Sequence, residues 1–148
     1  VANSVRKISN FNVALTTIHL NGGKDMIEAA SSEKGNVKVL GVSILTSLSE
    51  NDIFEITHTE FDAYFNNLIS IASNTNVDGV VCSPNELDKL KNFNKLKVVP
   101  GIRKDISDDD QKRVMSPMEA YKKGADFIVV GRPITKSEDP RKALELFL

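Results

Sequence analysis

Glycine precedes arginine at two places in the carboxyl-terminal half of the chain, in Gly101-Ile102-Arg103 and in Gly131-Arg132. Glycine lets a backbone approach a ligand closely, and the forked donors of arginine match the oxygens of a phosphate. A single pair of this kind is more simply explained by a turn and a solvated cation. Two pairs at the ends of successive apolar segments are as well explained by a phosphate site as by turns.

The elements that must position these residues are predicted from hydrophobic patterning. Five short Val-, Ile- and Leu-rich segments are typical of parallel strands covered on both faces. They are residues 13–18, 37–45, 77–82, 96–99 and 127–130. Helical patterns lie between them, most clearly at 60–74, where apolar side chains recur at i, i+3 and i+4. Weaker patterns predict helices at 1–10, 24–32 and 84–93, and Ser116-Pro117 and Asp139-Pro140 are predicted to begin two more.

The alternation of strands and helices predicts an α/β fold, with about five parallel strands joined by crossover helices. No strand is followed by G-x-G-x-x-G or G-x-x-x-x-G-K-[ST], so a dinucleotide-binding or P-loop domain loses its main support. An open doubly wound sheet and a piece of a (β/α)8 barrel remain as alternatives. In both folds, ligands bind at the carboxyl ends of the strands, where the glycines and arginines lie.

The composition is that of an ordinary globular domain. The 148 residues are 41% hydrophobic and 26% charged, with a net charge of -1, which predicts a single domain over residues 1–148. Near-neutral charge argues against nucleic acid or an anionic membrane as a partner. Cys82 is the only cysteine, and no apolar run approaches the roughly 18 residues of a membrane span. A cytoplasmic protein is therefore expected.

Three stretches resemble the orotidine 5'-phosphate decarboxylase family in its bacterial form. They are VDGVVCSPNE at 77–86, VVPGIRKDISDDDQKRVMSPMEAYKKGADF at 98–127 and IVVGRPI at 128–134. The segments TIHLNGGKDMIEAA and VKVLGVSILTS agree in register, so the resemblance covers essentially the whole chain. It implies a partial TIM barrel whose family removes CO2 from orotidine 5'-monophosphate to give UMP in pyrimidine synthesis, with no metal or organic cofactor. Other phosphate-sugar decarboxylases or aldolases of the barrel superfamily match the P-G-I-R…D-Q pattern less closely.

The resemblance also implies which residues bind the nucleoside monophosphate. Arg103, Gly131 and Arg132 would hold the 5'-phosphate, in agreement with the usual phosphate site of such barrels. Thr46 would contact the nucleotide.

Three further residues are assigned to substrate binding in the same way. Gln111 would reach over the ligand from residues 104–113, a mixed-charge run that matches the family's closing lid. Asn3 and Ser4 stand where the family has the Asn-Thr that ends its catalytic motif, so they would touch the ligand from the first helix.

The catalytic motif itself, Asp-x-Lys-x-x-Asp, would directly precede the segment that matches Val1 to Val5, and residues 1–148 contain no copy of it. No catalytic residue is therefore assigned, and the chain is predicted to be inactive alone. It would act with a complementing amino-terminal segment or as a homodimer, or it is a remnant that at most binds nucleotide phosphate. Because five strands cannot close an eight-stranded barrel, residues 13–18 and 127–130 are expected to be open sheet edges.

Overall fold

The five apolar segments form one parallel sheet, and helices connect its strands. A computed structural model describes residues 1–103 and 115–147. The strands are β1 Leu15–His19, β2 Lys38–Val42, β3 Gly79–Val81, β4 Leu96–Pro100 and β5 Phe127–Val129. The helices are α1 Ala2–Ser9, α2 Gly23–Ser31, α3 Glu50–Thr57, α4 Phe61–Ser73, α5 Pro117–Lys122, α6 Arg132–Thr135 and α7 Pro140–Glu145, with 3-10 turns at Leu20–Gly22 and Pro84–Leu90. All five predicted strands are confirmed.

The strands lie in the sheet in the order in which they occur in the sequence, β1-β2-β3-β4-β5. Every neighbouring pair is parallel. A doubly wound sheet reverses its strand order at a switch point, whereas a (β/α)8 barrel does not. The sequential order therefore decides for the barrel alternative, and β1 and β5 are the sheet edges, as predicted.

The hydrophobic core lies on the helix side of the sheet. Alternate strand residues supply it because side chains on a strand point in turn to opposite faces. Ile18, Val39, Val80 and Val99 belong to this core, together with Phe65 and Leu68 of the long helix α4. The apolar stripe predicted at 60–74 therefore packs as expected.

The opposite face of the sheet carries a row of paired side chains that crosses all five strands: His19, Val42, Val81, Val98 and Phe127. At the β5 edge this face is open, with Phe127 47% exposed and Val129 49% exposed. The prediction that the strands are covered on both faces is therefore wrong for β5. The physical reason is that helices cover one face, while the other face of a barrel sheet needs the remaining strands.

Helix ends follow the capping residues seen in the sequence. Ser116 and Glu119 form a reciprocal capping box at the start of α5, and the Asp139 Oδ1 accepts from the Lys142 N–H at 3.1 Å. Gly124 follows α5 with a φ of 96°, which favours glycine.

The helix predicted at 84–93 is instead a 3-10 turn, and the sequence patterns did not predict α3 or α6. Within the described residues, no helix has the length and apolar content needed to cross a bilayer.

Candidate functional site

A pocket of about 260 Å³ opens at the carboxyl ends of β4 and β5 and extends to the loop after β2. It is lined by four residues that the sequence assigned to substrate binding, namely Thr46, Arg103, Gly131 and Arg132. The remaining lining residues are Pro100, Gly101, Ile102, Val129 and Pro133. The structure thus brings residues from three different loops around one concave surface.

The turn after β4 fixes the position of Arg103. The strand ends at Pro100, and Gly101 then adopts a φ of 80°, which is unfavourable for residues with a side chain. Ile102 is 1% exposed and forms an isolated parallel bridge with Met115, while the Arg103 N–H donates to the Met115 carbonyl at 3.0 Å. The backbone that leads into Arg103 is therefore anchored on Met115.

The turn after β5 presents Gly131 and Arg132. Val129 pairs with Pro100 in the last rung between the two strands, and α6 begins three residues later at Arg132. The Gly131 carbonyl accepts from the N–H groups of Ile134 and Thr135 at 2.9 and 3.1 Å. A Cβ built on Gly131 would meet no atom of the described residues within 4 Å.

The third side of the pocket is the loop after β2. Ser43 anchors this loop, because its N–H and its hydroxyl donate to the Val81 carbonyl at 3.1 and 2.9 Å. Thr46 follows three residues later and is partly buried at the pocket wall. Its hydroxyl supplies a neutral donor and acceptor beside the two arginines.

The pocket is suited to an anion. Among the described residues, its lining includes Arg103 and Arg132 and no Asp or Glu. A phosphate monoester carries roughly 1.5 to 2 negative charges at neutral pH, and two arginine forks match both its charge and its oxygen geometry. The geometry therefore favours binding of a phosphate group over binding of a cation.

Two of the predicted binding residues are not among the described residues that line this pocket, and a third falls outside the described part of the chain. Asn3 and Ser4 are exposed in the first turn of α1, a helix held by buried Val5 and by a paired contact of the Arg6 guanidinium with Glu33, at 2.6 and 2.7 Å. Gln111, with the predicted lid at 104–113, lies outside the residues that the structure describes. Their roles in binding stay predictions.

Some pocket residues were missed by the sequence reasoning. Pro100, Ile102, Val129 and Pro133 form apolar walls of the pocket. Each lies within two residues of a glycine or an arginine of the two Gly-Arg motifs, so the strand ends themselves were the available signal. Apolar residues in such positions are usually assigned to packing, and their second role follows only from the pocket's shape.

Cys82 lies next to the carboxyl end of β3 but does not serve as a nucleophile in this setting. It is 1% exposed, and burial, together with the charge of Glu86, raises the pKa of its thiol to about 12. The thiolate is the reactive form of cysteine, and a thiol with this pKa is almost wholly protonated near neutrality.

The chain is similar to named proteins over nearly its whole length. The family described as "Orotidine 5'-phosphate decarboxylase / HUMPS family" matches residues 1–147. The orotidine 5'-phosphate decarboxylase of Aquifex aeolicus (strain VF5) is 46% identical over 149 residues, which cover 96% of this chain and 64% of that protein. The protein of the same name from Ehrlichia chaffeensis is 41% identical over 152 residues, covering 98% of this chain and 66% of that protein.

Solved structures agree with this result. The crystal structure of orotidine 5'-phosphate decarboxylase from Lactobacillus acidophilus has a TM-score of 0.84 and 31% identity, covering 99% of this chain and 66% of that one. The corresponding protein from Pyrococcus horikoshii OT3, at 19% identity and a TM-score of 0.71, shares the fold. The chain thus spans about two thirds of the length of these relatives, and its sequential parallel sheet is a partial (β/α)8 barrel.

Proposed function

The chain belongs to the orotidine 5'-phosphate decarboxylase family, and from this premise we propose that it binds orotidine 5'-monophosphate and UMP through their 5'-phosphate. The binding site is the pocket between the ends of β4 and β5 and the loop after β2. In this proposal the chain is the phosphate-binding part of a carboxy-lyase that acts in pyrimidine synthesis in the cytoplasm.

One observation carries the proposal. Arg103 and Arg132, each close behind a glycine, line the same pocket although they lie 29 positions apart in the sequence. Sequence alone left a phosphate site and simple turns equally acceptable. The convergence of two arginines on one pocket, whose described lining contains no Asp or Glu, supports the phosphate site.

Binding of UMP to the purified chain tests this part of the proposal by calorimetry. We expect measurable affinity that falls at least about tenfold in Arg132→Ala, because one charge-assisted, forked contact is lost. Arg141→Ala is the matched control, since Arg141 is an exposed arginine on α7 and is not among the lining residues. Equal affinities of the two variants, or no binding by the unsubstituted chain, would contradict the proposal.

The decarboxylation step needs groups beyond this pocket. Loss of CO2 leaves a carbanion that must be protonated, and the family resemblance assigns this to the lysine of Asp-x-Lys-x-x-Asp. Residues 1–148 contain no such motif. We propose that it is supplied from outside these residues, on the same polypeptide or on another, while the phosphate pocket contributes remote binding energy to hold the reacting ring in place.

Complementation tests this second part. The chain is mixed with the segment of the Aquifex aeolicus relative that precedes its match to this chain, and the loss of orotidine 5'-monophosphate is followed. We expect activity that is absent from either piece alone and absent when the motif's lysine is replaced by alanine. A folded, UMP-binding complex without activity would favour the second candidate, a protein that binds nucleotide phosphate and carries out no chemistry.

A further inference from the structure

The amino end of the sheet contains the same contact twice. Asp126, the residue before β5, donates its N–H to the Lys97 carbonyl at 2.9 Å, and its Oδ2 accepts from the Lys97 N–H at 2.7 Å. Asp78, the residue before β3, makes the same two bonds to Val39, each at 2.8 Å. In each case one aspartate forms hydrogen bonds with both the N–H and the carbonyl of one residue on the preceding strand. These two bonds fix the register in which the strand that follows the aspartate begins.

Strand β5 has little else to set its register. It makes three residue pairs with β4, and one of its partners, Pro100, has no N–H to donate. It is an edge strand among the described residues, and Phe127 and Val129 on its open face are about half exposed. Register is strongly specified only where one face is firmly buried. Within β5 only the partly buried Ile128 is packed against the core, with Ala125 and Val130 as flanking core contacts.

A slip of β5 would act directly on the phosphate pocket. One residue along a strand corresponds to about 3.3 Å, and a one-residue slip also turns every side chain to the other face. Gly131 and Arg132 follow β5 immediately, whereas Gly101 and Arg103 follow β4. The two halves of the pocket are therefore aligned only while β4 and β5 keep their register.

We propose that Asp126 is a positioning residue for the phosphate site. It lies at the opposite end of β5 from this site, and its side chain holds β5 in register with β4. The inference rests on the proposed function, because it concerns the same pocket. Asp126 does not touch the ligand in this proposal. Its carboxylate acts as a hydrogen-bond acceptor for the Lys97 N–H, so an uncharged acceptor of the same shape serves equally well.

Asp78 provides a matched comparison. It forms the same pair of backbone hydrogen bonds, and its Oδ2 also accepts from the Lys34 ammonium at 2.7 Å. Replacing Asp78 by alanine therefore removes more contacts than replacing Asp126. The strand that follows Asp78, however, is interior and pairs on both sides, with β2 and with β4. Loss of Asp78 should therefore lower stability without moving Arg132.

Three variants of the full chain test the inference: Asp126→Ala, Asp126→Asn and Asp78→Ala. Two quantities are measured, the affinity for UMP by calorimetry and the hydrogen exchange of amides at 97–99 and 127–129. We expect Asp126→Ala to weaken UMP binding at least about tenfold, with faster exchange confined to these amides. We expect Asp126→Asn to bind within about threefold of the unsubstituted chain, and Asp78→Ala to lower the melting temperature but not the affinity.

Several results would overturn the inference. One is an equal loss of affinity in the two alanine variants, which would indicate a general effect on stability. Another is a loss of affinity in Asp126→Asn, a result that stands even if Asp126→Ala does not fold. If the unsubstituted chain binds no UMP, the proposed function fails by itself. The register claim is then decided by hydrogen exchange, and unchanged exchange at 127–129 in Asp126→Ala overturns it.

Discussion

At the scale of single residues, the two glycines of the pocket serve it for different reasons. Gly101 has a φ of 80°, so its backbone conformation itself favours glycine. Gly131 has a φ of -106° and a ψ of -99°, and a Cβ added there would meet none of the described atoms within 4 Å. In the proposed function, this open space is where the ligand phosphate approaches the backbone.

Gly131→Ala is expected to keep the fold of the unsubstituted chain while binding UMP less tightly. The added methyl group has room in the free protein but occupies space that the phosphate would use. Thermal unfolding and calorimetry measure the two effects separately. Gly101→Ala is the control and should lower stability, by about 1 kcal/mol or more, because its φ is positive. Unchanged UMP affinity in Gly131→Ala would argue that the ligand stays away from this turn.

A second prediction at this scale concerns Cys82 and alkaline pH. Burial raises the pKa of the folded-state thiol from the ordinary value of 9.0 to about 12, so between these values the unfolded chain loses a proton that the folded chain keeps. Ionisation of the unfolded state lowers stability as pH rises through this range, by at most about 1.4 kcal/mol per pH unit. Urea unfolding between pH 8 and 10.5 should show a shallower decline for Cys82→Ala than for the unsubstituted chain. Parallel curves would show that this thiol is less shielded than its 1% exposure indicates.

At the scale of elements, the start of helix α5 depends on a reciprocal pair of contacts. The Ser116 hydroxyl donates to the Glu119 carboxylate at 2.7 Å and accepts from the Glu119 N–H at 3.3 Å. These bonds satisfy donors that a helix otherwise leaves without partners. They also hold the pKa of Glu119 below its usual value, first through the serine side chain and then through the serine N–H.

Ser116→Ala is expected to lower the free energy of unfolding by about 1 kcal/mol, as is typical for the loss of a capping side chain. Because the folded-state pKa of Glu119 is lowered, the stabilisation is present at neutral pH and is lost as pH falls through the acidic range. The difference between the variant and the unsubstituted chain should therefore shrink on acidification. Ser47→Ala, at an exposed serine in the loop after β2, is the control. A difference that does not change with pH would speak against the carboxylate as the capping partner.

The elements also show what patterning can and cannot predict. The five strands were predicted because buried parallel strands need continuous Val, Ile and Leu, and α5 was predicted because Ser-Pro-x-Glu is a strong start signal. Helix α3 has a capping box too, between Ser49 and Asp52, but only Ile53 is buried on it, so the periodic signal is weak. Only part of the pocket was predicted from the sequence. Glycine and arginine mark the strand ends that form it, whereas the apolar residues of its walls cannot be told from ordinary packing residues.

At the scale of the whole molecule, the sheet has one open face with an apolar border. The row of paired side chains ends at Phe127, which is 47% exposed, and β5 leaves its outer edge without a strand partner among the described residues. An exposed edge with apolar side chains is a template for pairing with another chain. A second copy or a complementing segment would bury this surface.

We therefore expect the purified chain to self-associate in a concentration-dependent way, and Phe127→Lys to reduce that association. A lysine on the edge strand opposes pairing through its charge and removes the apolar contact. Sedimentation velocity over a range of concentrations measures the effect. Phe54→Lys is the matched control, since Phe54 on α3 is 49% exposed but lies away from the sheet edge. A chain that stays monomeric throughout, or equal effects of both substitutions, would contradict the expectation.

The sequential order of the strands has a consequence for how the chain reaches its folded state. Each strand pairs with the one made just before it, and the residues joined in the sheet are never farther apart than about the 39 positions between Val39 and Asp78. Loop-closure entropy and low contact order favour such nearest-neighbour assembly. The polypeptide can add one strand at a time as it leaves the ribosome, and the phosphate pocket is complete only after β5 and the turn that follows it have been made.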